Sequence, residues 1–334
     1  MRIDIRLALL GVALALVLLG LASYQGSASS QPSAPSAEPE ATTAAVDVPI
    51  GPRQVFIATV ARQAVVEPAA QRTTPPARAP LRVGDAAPPA ITAREAVIVD
   101  EASGAVLWAQ EAHRRVAVAS LTKIVTALVA LERGRLDARV PIDFDHRTLE
   151  DSTVMGLLPG ELFTLEDLLY GLMLPSGNDA AIQIARHIAG SEEAFAELMN
   201  AKAAELGLVN SRFVNAHGLD EPGHYSSAYD TAMLAREGML RDETFRKLTR
   251  TKVWAAQGRR GPYEMWNLNR LLYGQYDGAD GVKIGYTEEA GRTMVASATR
   301  GGRRVYAAFM HSQNLVADAR ALLDYAFDNF VWQD

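Results

Sequence analysis

The chain contains no cysteine among its 334 residues. This absence excludes disulfide bonds, thiol catalysis, cysteine metal sites and a lipidated N-terminal cysteine. The six histidines show no metal-ligand spacing such as His-Glu-x-x-His, so we expect neither a metal nor another cofactor. The net charge of −6, with arginines scattered along the chain, leaves no basic surface for nucleic acid.

Lysine is scarce as well, since it supplies only five of the 33 basic side chains. Two of these lysines, Lys123 and Lys283, stand in short motifs, Ser-x-x-Lys and Lys-x-Gly.

One long hydrophobic run, from Leu7 to Ala22, follows Arg2 and Arg6 at the N-terminus. The pattern is typical of either an export signal or a single membrane span with its N-terminus inside. Residues 26–28 (Gly-Ser-Ala) supply a cleavage site for the first reading. The run is longer than most signal cores and approaches spanning length with its flanks, so we favour an uncleaved anchor over residues 1–26. In both readings the remainder works outside the cytoplasm.

Residues 27–90 hold 11 of the 16 prolines and are rich in alanine, serine and threonine. Such a composition cannot bury enough apolar surface to fold alone. It predicts a mostly disordered tether that holds a domain away from a membrane. The folded domain is then expected over residues 91–334.

Strand and helix patterns are unevenly distributed along that domain. Ala96 to Asp100 and Gly104 to Gln110 predict a β-hairpin, and three more strands are predicted after Gly278. Helical patterns fill the middle, and one more helix closes the chain. Strands far apart in sequence most simply pair into one sheet with helices packed on it. We therefore predict an α+β fold: an antiparallel sheet flanked by helices, with a helical subdomain.

The segment Ala119-Ser120-Leu121-Thr122-Lys123 opens one of the predicted helices. Free backbone N–H groups and the helix dipole stabilise negative charge in a first helical turn. A lysine three residues after a serine lies on the same face, with its amine back over the serine. This arrangement suits a serine nucleophile with an amine as its base. Chance alone supplies about one Ser-x-x-Lys in a chain of this length, so the motif needs support from elsewhere.

Two further motifs follow in order, Ser176-Gly177-Asn178 in a predicted turn and Lys283-Ile284-Gly285 in a predicted strand. With this set, nearly all of residues 92–331 resembles the serine D-alanyl-D-alanine carboxypeptidases, the low-molecular-mass penicillin-binding proteins of the peptidase S11 type. The resemblance implies the fold of penicillin-binding proteins and serine β-lactamases. It also implies a hydrolase acting on peptidoglycan stem peptides, and inhibition by β-lactams that acylate the serine.

The chemistry of each motif residue fits that resemblance. Ser120 would attack a peptide carbonyl and carry the acyl group. Lys123 can act as the base if burial and the nearby cation Lys283 keep its amine neutral. Ser176 would relay a proton to the leaving amine. The predicted catalytic residues are thus Ser120, Lys123 and Ser176.

Substrate binding is assigned to Asn178, Lys283, Gly285 and Tyr286. The Asn178 amide would hold the substrate backbone, and Lys283 would supply positive charge to the transition state and to a substrate carboxylate. By resemblance, the backbone N–H groups of Ser120 and Tyr286 form the oxyanion hole. The expected partners are peptidoglycan pentapeptides or crosslinked stem peptides, and the membrane through the N-terminal segment.

Two positions depart from the family pattern. The resemblance implies a threonine hydroxyl, at the position of Ile284, that bonds the terminal carboxylate of the substrate. It also implies an arginine three residues before Asp318, where this chain has Leu315. Losing a hydrogen bond to a charged group costs about 1.5–3 kcal/mol. We expect weaker recognition of a free C-terminal carboxylate and of penicillins, and a shift toward endopeptidase action is open.

Three other readings compete with this one. His217 and Asp220 could belong to a Ser-His-Asp triad, although no Gly-x-Ser-x-Gly elbow accompanies them. A class A β-lactamase would need a glutamate to activate water, and Glu264 is the nearest candidate. A non-catalytic cell-wall-binding module could use the same cleft, which Ile284 and Leu315 motivate.

Overall fold

The computed structural model describes residues 77–333. Its elements in chain order are β1 (Leu81–Arg82), β2 (Glu95–Asp100), β3 (Val106–Gln110), α1 (Lys123–Arg133), β4 (Arg139–Pro141), β5 (Leu162–Thr164), α2 (Leu165–Met173), α3 (Asn178–Ala189), α4 (Glu192–Glu205), α5 (Ala228–Arg241), α6 (Glu243–Arg250), β6 (Val253–Gly258), β7 (Gly261–Trp266), β8 (Ala279–Thr287), β9 (Gly291–Arg300), β10 (Arg303–Ser312), α7 (Leu315–Asn329) and β11 (Phe330–Val331).

A five-stranded sheet in the order β3-β2-β10-β9-β8 forms the centre of the domain, and its neighbouring strands are all antiparallel. Every residue of β2 is buried, which requires that both faces of the sheet be covered. Alternation along β2 divides its side chains between two cores. Val97 and Val99 pack into the core of the helical block, whereas Ala96 and Ile98 pack with α7 on the opposite face. The predicted α+β architecture is confirmed.

Local capping explains where several helices begin. Thr164 and Asp167 form a capping box at the start of α2. The Thr164 hydroxyl oxygen accepts a hydrogen bond from the backbone N–H of Asp167, and the Asp167 carboxylate accepts one from the backbone N–H of Thr164. Ser191 accepts a hydrogen bond from the N–H of Ala194 and begins α4. Gly190 ends α3 in the left-handed conformation. Each of these three boundaries is set by the local chemistry of one or two residues.

Other elements carry weaker sequence signals. Leu81 and Arg82 fall inside the predicted tether, yet they pair with Val331 and Phe330 as β1 and β11. A two-residue strand is specified by its partner rather than by its own pattern. The short helix α6 and the hairpin β4–β5 were also not predicted. A second hairpin pairs β6 with β7.

The predicted anchor over residues 1–26 and most of the tether lie outside the described residues. Within residues 77–333, no helix combines the length and apolar character needed to cross a membrane.

Candidate active site

Ser120 lies in a short 3₁₀ turn, Ala119–Thr122, directly before α1. The predicted helix therefore begins at Lys123, and the serine sits just ahead of it. Ala119 has a φ of +51°, and its carbonyl oxygen would lie only 2.0 Å from a Cβ on Gly218. Because no side chain fits there, Gly218 is needed for the loop to pack against the nucleophile turn.

The amine of Lys123 is fully buried and lies at the centre of the site. Its Nζ contacts Ser120 Oγ at 2.9 Å, Asn178 Oδ1 at 2.5 Å and the carbonyl oxygen of His217 at 2.7 Å. Burial and the positive charge of Lys283 hold the pKa of Lys123 well below its ordinary value, although Asp179 opposes them. The amine over the serine that the motif predicts is confirmed.

Ser176 occupies the turn between α2 and α3 with a φ of +63°. Its carbonyl oxygen accepts a hydrogen bond from the Thr153 hydroxyl at 2.8 Å. Its own hydroxyl oxygen is buried and has no hydrogen-bond partner among residues 77–333. A buried polar atom without a partner is rare in proteins and is a feature of sites that receive a ligand. Ser176 lines the same cleft as Ser120.

Asn178 begins α3 and uses both ends of its amide within the protein. Its oxygen accepts from Lys123, and its Nδ2 donates to Ser152 Oγ at 2.5 Å. Ser152 was not identified from sequence, because it belongs to no motif. The segment that follows it is held in place by Asp179, whose carboxylate accepts hydrogen bonds from the backbone N–H groups of Met155, Gly156 and Leu157.

Lys283 lies on the edge strand β8 and is 2% exposed. Its Nζ donates to the carbonyl oxygen of Ile284 at 3.0 Å. Burial lowers its pKa to about 7. A second ammonium group that gains or loses its charge near neutral pH therefore lies close enough to Lys123 to act on it electrostatically.

Gly285 brings the edge strand against the nucleophile. A Cβ on this glycine would lie 2.8 Å from the backbone nitrogen of Ser120 and 2.6 Å from Thr293 Oγ1. Only a residue without a side chain permits this approach. Tyr286, the next residue, is 65% exposed and lines the cleft. The structure thus places the backbone of β8 beside Ser120, as the predicted oxyanion hole requires.

The cleft above Ser120 has a volume of about 340 Å³. Ile284 and Leu315, the two departures from the family pattern, both line it together with Leu268. The same three residues also line an adjoining apolar cavity of about 100 Å³. One wall of the cleft is therefore hydrophobic. Leu268 and Arg292 are further lining residues that the sequence motifs did not identify.

The geometry does not support a triad built on His217. Its backbone carbonyl, and not its ring, contacts Lys123, while ring Nδ1 accepts the N–H of Leu219 at 3.1 Å. Burial and the charge of Lys123 lower the pKa of His217 to about 3. Asp220 accepts from the Thr287 hydroxyl at 2.7 Å rather than from the histidine.

Glu264 is exposed on β7 and is not among the described residues that line the cleft. The candidate for a β-lactamase water-activating glutamate is therefore not placed to serve Ser120. Among residues 77–333, no group of three or more histidines and carboxylates is gathered closely enough to bind a metal ion.

Comparisons with known proteins find relatives that are similar in sequence and in fold. D-alanyl-D-alanine carboxypeptidase DacF of Bacillus subtilis is 39% identical over 250 residues, which are 71% of this chain and 63% of that protein. The crystal structure of a D-alanyl-D-alanine carboxypeptidase from Mycobacterium tuberculosis matches with a TM-score of 0.70 and 32% identity, over 76% of this chain and 99% of that one. The Streptomyces K15 DD-transpeptidase matches with a TM-score of 0.68 and 32% identity, over 73% of this chain and 100% of that one.

These matches confirm the predicted fold class, which the solved DD-peptidases share. The chain spans less than two thirds of the length of the Bacillus relative. The family model for D-alanyl-D-alanine carboxypeptidases, peptidase S11, matches residues 83–314. The chain therefore belongs to the D-alanyl-D-alanine carboxypeptidase family of serine peptidases.

Proposed function

We propose that this protein is a serine D-alanyl-D-alanine carboxypeptidase that cleaves peptidoglycan stem peptides through an acyl-enzyme on Ser120. The observation that carries the proposal is the set of partners around Lys123. Two of them, Asn178 Oδ1 and the His217 carbonyl, can only accept hydrogen bonds, whereas the Ser120 hydroxyl can also donate one. A neutral amine fits this set, because its two N–H groups and its lone pair each have a partner.

In the acylation step, Ser120 Oγ bonds to the substrate carbonyl carbon as its proton passes to the lone pair of Lys123. The lowered pKa of Lys123 favours this transfer, since burial and the charge of Lys283 disfavour the ammonium form of the amine. The oxygen of the tetrahedral intermediate is negatively charged. The backbone N–H groups of Ser120 and Tyr286 stabilise it, together with the charge of Lys283.

Collapse of the intermediate breaks the peptide bond, and the leaving D-alanine amine takes up a proton. Ser176 relays it: its hydroxyl, which has no hydrogen-bond partner among residues 77–333, gives its proton to the amine and takes from Lys123 the proton that came from Ser120. Lys123 is then a free amine again. Water attacks the Ser120 ester as its proton passes to Lys123, and that proton returns to Ser120 Oγ when the ester bond breaks. Free carboxylic acid and enzyme result. A β-lactam that acylates Ser120 by the same route acts as a covalent inhibitor.

A second activity, endopeptidase cleavage of crosslinked stem peptides, is favoured by the hydrophobic wall. Ile284 and Leu315 add apolar surface where the family pattern supplies a hydroxyl and a guanidinium. A crosslinked substrate need not present a free carboxylate at this position. On this reading, Ile284 weakens carboxylate recognition while the residues around Ser120 are kept.

The place of action follows from the substrate. Peptidoglycan lies outside the cytoplasm, and the hydrophobic run at residues 7–22 is suited to deliver or hold the domain there. The tether predicted from residue 27 onward would let the domain reach the wall from a membrane anchor.

The direct test incubates the purified chain with a D-Ala-D-Ala peptide and, separately, with fluorescent penicillin. We expect release of D-alanine and labelling of the protein, both lost in Ser120→Ala. Ile284→Thr should raise both rates by restoring a hydroxyl to the wall. Rates that Ile284→Thr leaves unchanged would contradict the role given to Ile284, and release by Ser120→Ala would contradict the acyl-enzyme.

A further inference from the structure

The cleft has two walls of different chemistry. The helical block contributes Asp151–Thr153, Ser176 and Asn178, whereas the sheet and the start of α7 contribute the apolar pair Ile284 and Leu315 together with Arg292. Among the described residues that line the cleft, Arg292 is the one cation. It lies in the wall where Ile284 and Leu315 replace the threonine and arginine that, in the family pattern, bind the substrate carboxylate.

Register places Arg292 on the same face of the sheet as Ile284. In the β8–β9 ladder, Ile284 pairs with Met294 and Tyr286 pairs with Arg292. Side chains two residues apart on a strand share a face, so Arg292 emerges on the side of Ile284 and Met294. Gly285 points to the other face, toward Ser120.

The guanidinium reaches the start of α7 and keeps most of its donors available. Arg292 Nη1 donates to the carbonyl oxygen of Gln313, two residues before Leu315, at 3.4 Å. That distance is at the long limit of a hydrogen bond. Within residues 77–333 it is the one hydrogen bond of this side chain, whereas a guanidinium carries five N–H donors. The side chain is exposed to solvent.

Lys283 cannot supply the same interaction alone. It is 2% exposed, donates to the Ile284 carbonyl and loses its charge near neutral pH because it is buried. Arginine remains charged at all relevant pH values and can grip a carboxylate with two parallel N–H groups.

We propose that Arg292, on β9, is a specificity-determining residue that binds the C-terminal carboxylate of the substrate. In the family pattern that role falls to an arginine at the start of α7, where this chain has Leu315. This inference rests on the proposed function, because it concerns which peptide ends the acylating site accepts. The hydrophobic wall of Ile284 and Leu315 then packs against the methyl group and backbone of the terminal residue, and Arg292 closes over its charge.

The test compares two peptides that differ only at their C-terminus, a D-Ala-D-Ala acid and the corresponding D-Ala-D-Ala amide, with the full chain in detergent. Arg292→Gln should lower kcat/KM for the acid by about 10- to 100-fold, chiefly through KM, and leave kcat/KM for the amide unchanged. Arg292→Lys, which keeps the charge but loses the paired donors, should fall between. Arg139→Gln removes an exposed arginine on β4 that is not among the described residues lining the cleft, and should change neither.

A rescue variant separates recognition from folding. Arg292→Gln combined with Leu315→Arg should recover part of the activity on the acid, because a guanidinium returns to the same wall. Added salt should lower kcat/KM of the native chain for the acid more than that of Arg292→Gln.

Equal losses on acid and amide, or no loss on either, would overturn the role of Arg292 while leaving the carboxypeptidase proposal intact. Failure of the native chain to cleave either peptide or to acylate Ser120 would overturn both proposals together.

Discussion

The side-chain oxygen of Asn178 accepts a hydrogen bond from the buried amine of Lys123 at 2.5 Å. An amide oxygen is a neutral acceptor, so it orients the amine without stabilising the ammonium form as strongly as a carboxylate would. The identity of this residue therefore bears on whether Lys123 is a base or a cation. Asn178 positions the base in addition to any contact that it makes with substrate.

Asn178→Asp should convert the base into an ion-paired ammonium. A carboxylate within hydrogen-bond distance raises the pKa of Lys123 because it favours the charged form. At neutral pH we expect kcat/KM to fall by about 10²–10⁴-fold, the usual contribution of a general base. The ascending limb of the pH profile should move to higher pH.

Asn178→Ser serves as the matched control, because it loses the amide without adding charge. Its activity should fall without an upward shift of the ascending limb. An Asn178→Asp profile that keeps the native limb would refute the assignment of Lys123 as the base.

Ser176→Ala should separate activity from stability. The Ser176 hydroxyl is buried and has no partner in the described part of the chain, so its removal forfeits no hydrogen bond there. We expect the free energy of unfolding to change by less than about 0.5 kcal/mol, the range of substitutions that break no contact. Acylation should nevertheless slow by about 10²–10⁴-fold through loss of proton relay. Parallel losses of Tm and activity would indicate a structural serine instead.

The pH dependence of the free enzyme should report the charge of Lys283. Burial lowers its pKa to about 7, so the amine loses its proton as the pH rises through that value. If this charge stabilises the transition state, kcat/KM should decline above about pH 7, and Lys283→Arg should shift that decline upward because a guanidinium stays protonated. A decline that is the same in both proteins would argue against this role.

The same lysine should leave a signature in stability. The unfolded chain holds its proton up to the ordinary pKa of 10.5, whereas the folded chain releases it near 7. The unfolded state therefore binds more protons between these values, and the free energy of unfolding rises with pH across that window. Lys283→Met should flatten the rise, measured by urea unfolding at several pH values. It should also stabilise the protein below pH 7, because a buried charge is removed. An unchanged slope would show that Lys283 is not buried as described.

Gly285→Ala tests the approach of β8 to the nucleophile. The added methyl group would lie 2.8 Å from the Ser120 nitrogen, too close for any carbon, so strand and turn must separate. We expect a loss of about 1–3 kcal/mol in the free energy of unfolding, as for overpacked sites. Penicillin labelling should be lost even where the variant remains folded, as judged by circular dichroism. Normal labelling would exclude a tight Ser120–Gly285 contact.

The site residues that belong to the three motifs could be predicted from the sequence. Ser120 and Lys123 lie three residues apart at the start of α1, so local geometry alone predicts their contact. Ser176 and Lys283 were joined to them by motif order and by resemblance. The 3₁₀ turn at Ser120 was not foreseen, because the positive φ of Ala119 depends on packing against Gly218.

Residues outside the motifs escaped prediction for a different reason. Ser152 accepts a hydrogen bond from Asn178, and Asp179 binds the backbone of the segment that follows Ser152. Arg292 could have been found, since pairing the two predicted strands across their tight turn brings it opposite Tyr286. The strand at residues 81–82 carries no pattern of its own, which is why the domain begins earlier than its composition suggests.

The most direct measurement is intact mass spectrometry of the chain quenched during turnover of a D-Ala-D-Ala peptide or after exposure to a penicillin. The account predicts one covalent adduct, equal in mass to the acyl group, that maps to the peptide containing Ser120 and is absent from Ser120→Ala. An adduct on another residue, or peptide cleavage that persists in Ser120→Ala, would contradict it.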